Sequence, residues 1–215
     1  MKNKKKKYFY QNINPTTQLV LAALLFAVAV LASRGTHLSL AEEKSFYAVY
    51  GLPDFLYPFM FVLTQLGSVY VFGALLAAYV FKQHYQVVVR LLLTGTLAYL
   101  LAGFAKSVWG RSRPHEFFSD VLTLDYFQGA GFPSGHVALA TAVALTIGHY
   151  LPRKYHWIVV AWIVGVAVSR LYLGVHLPLD IIGGFAIGWI SYALFRHVRI
   201  YNLVPGRPKP KPKVT

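Results

Sequence analysis

Apolar and polar residues along this chain come in blocks. Six apolar stretches occupy residues 17–33, 58–81, 87–105, 135–151, 157–168 and 179–195, separated by short polar segments. A helix needs about 20 mostly apolar residues to cross a bilayer. The pattern therefore predicts an all-α polytopic membrane protein, with six transmembrane helices in a bundle. The fifth stretch is short, and flanking His156, Ser169 and Arg170 must complete it. The same pattern divides the chain into a basic segment at 1–16, a membrane domain at 17–200 and a basic tail at 201–215. In the tail, alternating Pro and Lys predict disorder.

Composition agrees with the pattern. Of 215 residues, 56% are hydrophobic and only 13% charged, and the mean hydropathy is +0.49. A soluble domain carries about 25% charge, and one of this length could not hide so much apolar surface. The net charge of +14 would suit a nucleic-acid binder, but it is concentrated in KNKKKKY and GRPKPKPK beside apolar segments. Such clusters set membrane orientation and attract anionic lipid. The partners expected are the bilayer and a membrane lipid, with no nucleic acid and no obligate protein partner. Cysteine is absent, which excludes disulfide and thiolate chemistry.

Charge also fixes an orientation. With both termini in the cytoplasm, fifteen Lys and Arg face inward, and six (Arg34, Lys44, Lys106, Arg111, Arg113, Arg170) face outward together with all seven acids. That is the positive-inside bias of a multi-pass cell-membrane protein. The first stretch has a rival reading as a secretory signal ending at Val30-Leu31-Ala32. NINPTTQ separates its lysines from its apolar core, which favours an uncleaved anchor; cleavage would leave the later orientation unchanged.

On this topology three distant polar clusters share the outer face. They are Lys106 to Pro114 after the third stretch, Pro133-Ser134-Gly135-His136 before the fourth, and Ser169 to Asp180 between the fifth and sixth. Lys106, Arg113 and Arg170 suit a tetrahedral, multiply charged anion such as phosphate. Ser134 and Gly135 stand where a helix starts, and free backbone N–H groups and the dipole favour an anion there. Two histidines divide the remaining work. His176 has Asp180 four residues on, and a carboxylate holding one ring nitrogen leaves the other as nucleophile. His136 lacks such a neighbour in sequence and is left as the general acid. An active site facing outward follows.

Lys106-x6-Arg113-Pro114, Pro133-Ser134-Gly135-His136 and Ser169-Arg170-x5-His176-x3-Asp180 together resemble the three-part signature of the type 2 phosphatidic acid phosphatase superfamily. The arrangement is similar to its bacterial membrane branch, the phosphatidylglycerophosphatase B-like and undecaprenyl-diphosphate phosphatase-like enzymes. The resemblance implies a metal-independent phosphatase without cofactor. His176 is implied as nucleophile, oriented by Asp180, with His136 as leaving-group acid. Lys106, Arg113, Ser134, Gly135, His136 and Arg170 are implied as phosphate ligands. Undecaprenyl diphosphate, phosphatidylglycerophosphate and phosphatidic acid are the candidate substrates. The alternatives are phosphoryl transfer to a second lipid and non-hydrolytic binding or transport of a lipid phosphate.

Blander readings apply elsewhere. Arg111 is expected as a rim charge and His115 as a loop residue, while His37, His84, His149, His156 and His197 fit span ends or loops. Trp109, Phe117, Phe118, Tyr126 and Phe127 read as an interfacial aromatic belt. Gly183, Gly184 and Gly188 read as helix-packing positions. Zinc on the histidines and Asp180 is disfavoured by the surrounding cations.

Overall fold

The computed structural model describes residues 13–34, 38–122 and 129–196. The tail at 201–215 lies outside them, as do His37, His197, Tyr126, Phe127 and most of the basic segment at 1–16. The described residues are helical and contain no strand.

Helix α1 (Pro15–Ala32) starts where Asn14 accepts the Thr16 N–H and Pro15 occupies the first turn. Helix α2 (Leu40–Tyr50) starts at Ser39, whose hydroxyl accepts the Glu42 N–H, and carries Glu42 and Glu43 in its first turn. Its sequence, LAEEKSFYAVY, is too mixed to stand out as apolar, and hydropathy does not predict it. After a turn at Leu52 and Pro53, the chain continues at 74° to α2 into α3 (Tyr57–Gln65).

The stretch at 58–81, expected as one helix, is two. Leu66-Gly67-Ser68 separates α3 from α4 (Val69–Phe81), and Ser68 caps α4 through the Val71 N–H. A Cβ on Gly67 would stand 2.7 Å from the His136 carbonyl oxygen, so the break lies against the start of another helix. That helix is α7 (Gly135–Gly148), preceded by the long α5 (Tyr85–Trp109) and the single-turn α6 (Pro114–Phe117). Gly110, left-handed at φ 58°, terminates α5. Helices α8 (His156–Tyr172) and α9 (Pro178–Arg196) complete the chain.

Among the described residues, four helical segments are long and apolar enough to cross a membrane: Pro15–Ala32, Tyr85–Phe117, Arg153–Tyr172 and Pro178–Arg196. The bent pair Leu40–Tyr50 and Asp54–Gln65 makes up to five. Six was the expectation. It falls short because α4 and α7 have only 13 and 14 residues. The exposed side chains are apolar in the way a lipid-facing wall requires: Leu24, Val28 and Leu31 on α1, Phe104 on α5, and Trp157 and Val160 on α8.

Helix α7 is the centre. It packs against α5, α8 and α9, and α9 in turn lies along α1. Small residues make this approach close: Ala138 and Ala142 meet Ala98, Ala102 and Ile187. A Cβ on Gly184 would collide with the Ser134 carbonyl, and one on Gly188 with the Ala138 carbonyl. These glycines set the α7–α9 distance, as expected for packing positions.

Candidate active site

The three sequence clusters meet at one end of the bundle. Lys106 stands in the last turn of α5, Arg113 at the start of α6, Ser134 at the cap of α7 and Arg170 in the last turn of α8. His176 follows in the α8–α9 connection, and Asp180 lies in the first turn of α9. A cavity of about 550 Å³ is lined by Lys106, Arg113, Gly135, His136, Arg170 and His176, with Gln65, Ser68, Tyr70 and Tyr99 extending it along α3–α5. Ser134 and Asp180 are fully buried just behind this lining.

Each cation is held by the loop or helix opposite it. Lys106 Nζ donates to the Ala130 and Gly131 carbonyls at 2.7 and 3.2 Å. Arg113 Nε donates to the Gly129 carbonyl at 2.7 Å, and its Nη1 to the Val175 carbonyl at 3.1 Å. Arg170 Nη1 donates to Thr64 Oγ1 on α3 at 2.9 Å, and both residues are buried. Three like charges thus surround one space, and the backbone carbonyls of residues 129–131 and 175 absorb part of their repulsion. A multiply charged anion would complete the balance.

The N-terminus of α7 opens into the same space. The Ser134 N–H donates to the Asp180 carbonyl at 2.9 Å, which ties the start of α7 to α9. The Ser134 hydroxyl has no hydrogen-bond partner among the described residues. A Cβ added to Gly135 would meet nothing within 4 Å, leaving room for an anion beside the first-turn amides.

His176 is 2% exposed and Asp180 is completely buried. Nδ1 of His176 stands 3.4 Å from Oδ2 of Asp180, and that oxygen also accepts the Leu177 N–H at 2.8 Å. The carboxylate thus faces one ring nitrogen and leaves Nε2 unobstructed by it. Burial, followed by the charges of Arg170, Lys106 and Arg113, holds the His176 imidazole well below the usual histidine range, against a hydrogen bond to the Gly131 backbone that favours the proton. Both causes favour the neutral imidazole over the imidazolium.

Arg111, expected at the rim, is instead buried behind Asp180. Its Nη1 donates to Asp180 Oδ1 and to Glu42 Oε1, both at 3.0 Å, and its Nη2 donates to Glu42 Oε2 at 2.8 Å. Glu42 and Thr64 are the other residues at the site that sequence reasoning missed. Arg111 had one signal, its place inside the Lys106–Arg113 segment; Glu42 and Thr64 had none, since their partners lie more than 60 residues away. Two residues of the expected aromatic belt also have specific partners. Trp109 donates to Ser33 Oγ at 2.9 Å, and Phe118 stacks on Phe46, so both join α1 and α2 to the site end of the bundle. His149 lies 3.4 Å from the Tyr192 hydroxyl at the ends of α7 and α9. Among the described residues no three His, Asp or Glu side chains come together as metal ligands.

A family profile described as the PAP2 superfamily matches residues 87–203, more than half of the chain. An undecaprenyl-diphosphatase from Sulfolobus acidocaldarius is 33% identical over 141 residues, which cover 62% of this chain and 66% of that protein. A lipid A 4'-phosphatase from Porphyromonas gingivalis is 34% identical over 108 residues, covering 47% of this chain and 46% of that one. The chain thus spans under two thirds of either relative's length. The crystal structure of a transmembrane PAP2-type phosphatidylglycerolphosphate phosphatase from Bacillus subtilis superposes with a TM-score of 0.71 at 25% identity. That match covers 82% of this chain and 93% of the other.

Proposed function

The chain belongs to the PAP2 superfamily, and from that premise we propose that it is an integral membrane phosphatase that hydrolyses a lipid phosphate or diphosphate through a phosphohistidine intermediate. One observation carries this reading: His176, backed by buried Asp180, faces a cavity that Lys106, Arg113 and Arg170 also line. Proteins similar to it are named undecaprenyl-diphosphatase, lipid A 4'-phosphatase and phosphatidylglycerolphosphate phosphatase.

The phosphoryl group seats among the three cations and the first amides of α7, which neutralise charge that accumulates on its oxygens in the transition state. Nε2 of His176 attacks phosphorus in line, a P–N bond forms and the bond to the leaving oxygen breaks, that oxygen belonging to the lipid or, in a diphosphate, to the lipid monophosphate. His136, which takes up a proton when the anionic substrate offsets the surrounding cations, gives it to that oxygen. Asp180 stabilises the positive charge that His176 acquires. In the second step His136 takes a proton from water, the hydroxide attacks the phosphohistidine, and inorganic phosphate leaves. No step requires a metal.

The distribution of Lys and Arg supports an orientation with both termini inside and the site outside. Six crossings result if α3 and α4 together form one interrupted span and α7 crosses as the short central one. An outward site favours a carrier lipid dephosphorylated on that side, with undecaprenyl diphosphate first and phosphatidylglycerophosphate and phosphatidic acid sharing the same chemistry.

The test is phosphate release by detergent-purified protein from these three lipids, with and without a chelator, beside His176→Ala. Wild-type release that survives chelation and vanishes in His176→Ala is the expected result. Release by His176→Ala would overturn the phosphohistidine route. Transfer of the phosphoryl group to a second lipid, with no free phosphate, would make the enzyme a phosphotransferase.

A further inference from the structure

We propose that Glu42 is a positioning residue for the reaction: through Arg111 it aims the Asp180 carboxylate at His176. The proposal rests on the reading of His176 as nucleophile. It adds to the site a residue from α2, outside the segment that the family profile matches.

The contacts form a continuous buried chain. Both oxygens of Glu42 accept from Arg111, at 3.0 and 2.8 Å, and Arg111 Nη1 reaches Asp180 Oδ1 at 3.0 Å. Glu42 Oε1 also accepts the Leu179 N–H at 3.1 Å, so the same carboxylate holds the backbone immediately before Asp180. Arg111 is 8% exposed, Glu42 6% and Asp180 0%.

A guanidinium facing a single carboxylate pairs with both of its oxygens. Without Glu42, Arg111 would offer two N–H groups to Asp180 and engage Oδ2, the oxygen that faces His176. With its fork already occupied by Glu42, Arg111 offers Asp180 only Nη1, on Oδ1. Oδ2 is left for the Leu177 amide and the imidazole. Arg111 in turn places its one guanidinium between the two buried carboxyl groups and bonds to both. Stability gives little reason for this arrangement, because a buried ion pair is often no better than an apolar replacement of similar size. A nucleophile that must stay oriented does give one. Partners that orient a reacting group from behind typically change activity about 10- to 100-fold when removed.

Glu42→Gln keeps the shape and removes the charge. The experiment measures kcat, KM and inhibition by inorganic phosphate for wild type, Glu42→Gln, Glu42→Asp and His176→Ala, each purified in detergent and assayed on one lipid phosphate. For Glu42→Gln, kcat is expected to fall about 10- to 100-fold, while KM and the phosphate inhibition constant stay within about twofold, because Lys106, Arg113 and Arg170 do not touch it. Glu42→Asp, with the carboxylate restored, is expected between Glu42→Gln and wild type. Wild-type kcat in Glu42→Gln overturns the proposal. So does a parallel loss of kcat, KM and phosphate affinity, the mark of a residue that only holds α2 in place. If Glu42→Gln does not fold, Glu42→Asp decides: a wild-type kcat overturns the proposal, and a reduced kcat with unchanged KM and phosphate inhibition supports it. His176→Ala separates the two readings. Turnover there defeats the phosphohistidine mechanism, whereas an inactive His176→Ala beside a fully active Glu42→Gln defeats only the role of Glu42.

Discussion

A buried imidazole ringed by guanidinium and ammonium groups resists protonation, and this sets the pH behaviour of His176. Its neutral form is present above its own pKa, which burial and Arg170, Lys106 and Arg113 hold well below 6.5. Diethylpyrocarbonate acylates neutral imidazole, so its rate of inactivation of the empty enzyme should persist below pH 6.5; a midpoint at or above 6.5 would contradict the cationic cavity. A second expectation concerns Arg170. Thr64→Val removes the hydroxyl that accepts from Nη1. A hydrogen bond to a charged group contributes about 1.5 kcal/mol, roughly tenfold, so KM should rise by about that factor in steady-state assays while the protein stays folded. The cavity-lining Lys106, Arg113, His136, Arg170 and His176 were legible in sequence because each lies in a short run whose spacing carries meaning. Arg111 was read as a rim charge because its burial depends on Glu42, 69 residues away. No local pattern contains that distance.

At the scale of elements, helix packing decides what each glycine tolerates. Gly184→Val should lower the thermal midpoint in detergent, since the side chain has to push α9 away from the Ser134 carbonyl; overpacking of this kind costs about 1–3 kcal/mol. Gly73 on α4 meets nothing within 4 Å. Gly73→Ala should therefore leave the midpoint unchanged or raise it, the gain in helix propensity being about 1 kcal/mol. Equal effects of the two substitutions would mean that the α7–α9 contact does not control stability. Hydropathy located α5 and α9 well because each is one long uninterrupted run, while the short fifth stretch gains His156 and residues 169–172 to make α8. It joined α3 to α4 because three residues, Leu66-Gly67-Ser68, are too few to lower an average taken over about 20. It overlooked α2 because Glu42, Glu43 and Lys44 cancel the apolar signal of Phe46 and Val49.

For the whole molecule, the natural lack of cysteine makes sidedness directly measurable. Ser119, exposed near the cavity end, and Lys154, exposed at the turn between α7 and α8, serve as markers of the two faces. In intact cells an impermeant maleimide should label Ser119→Cys and spare Lys154→Cys until the membrane is opened. The opposite result would invert the orientation drawn from charge. The arrangement across the bilayer has one more consequence, and it comes from the length of α7. Fourteen residues rise only about 21 Å, while the hydrocarbon slab is about 30 Å thick. The central rod is therefore too short to cross such a slab upright, and the longer α5, whose Thr94 meets Thr146 near the end of α7, runs on past that contact by more than two turns.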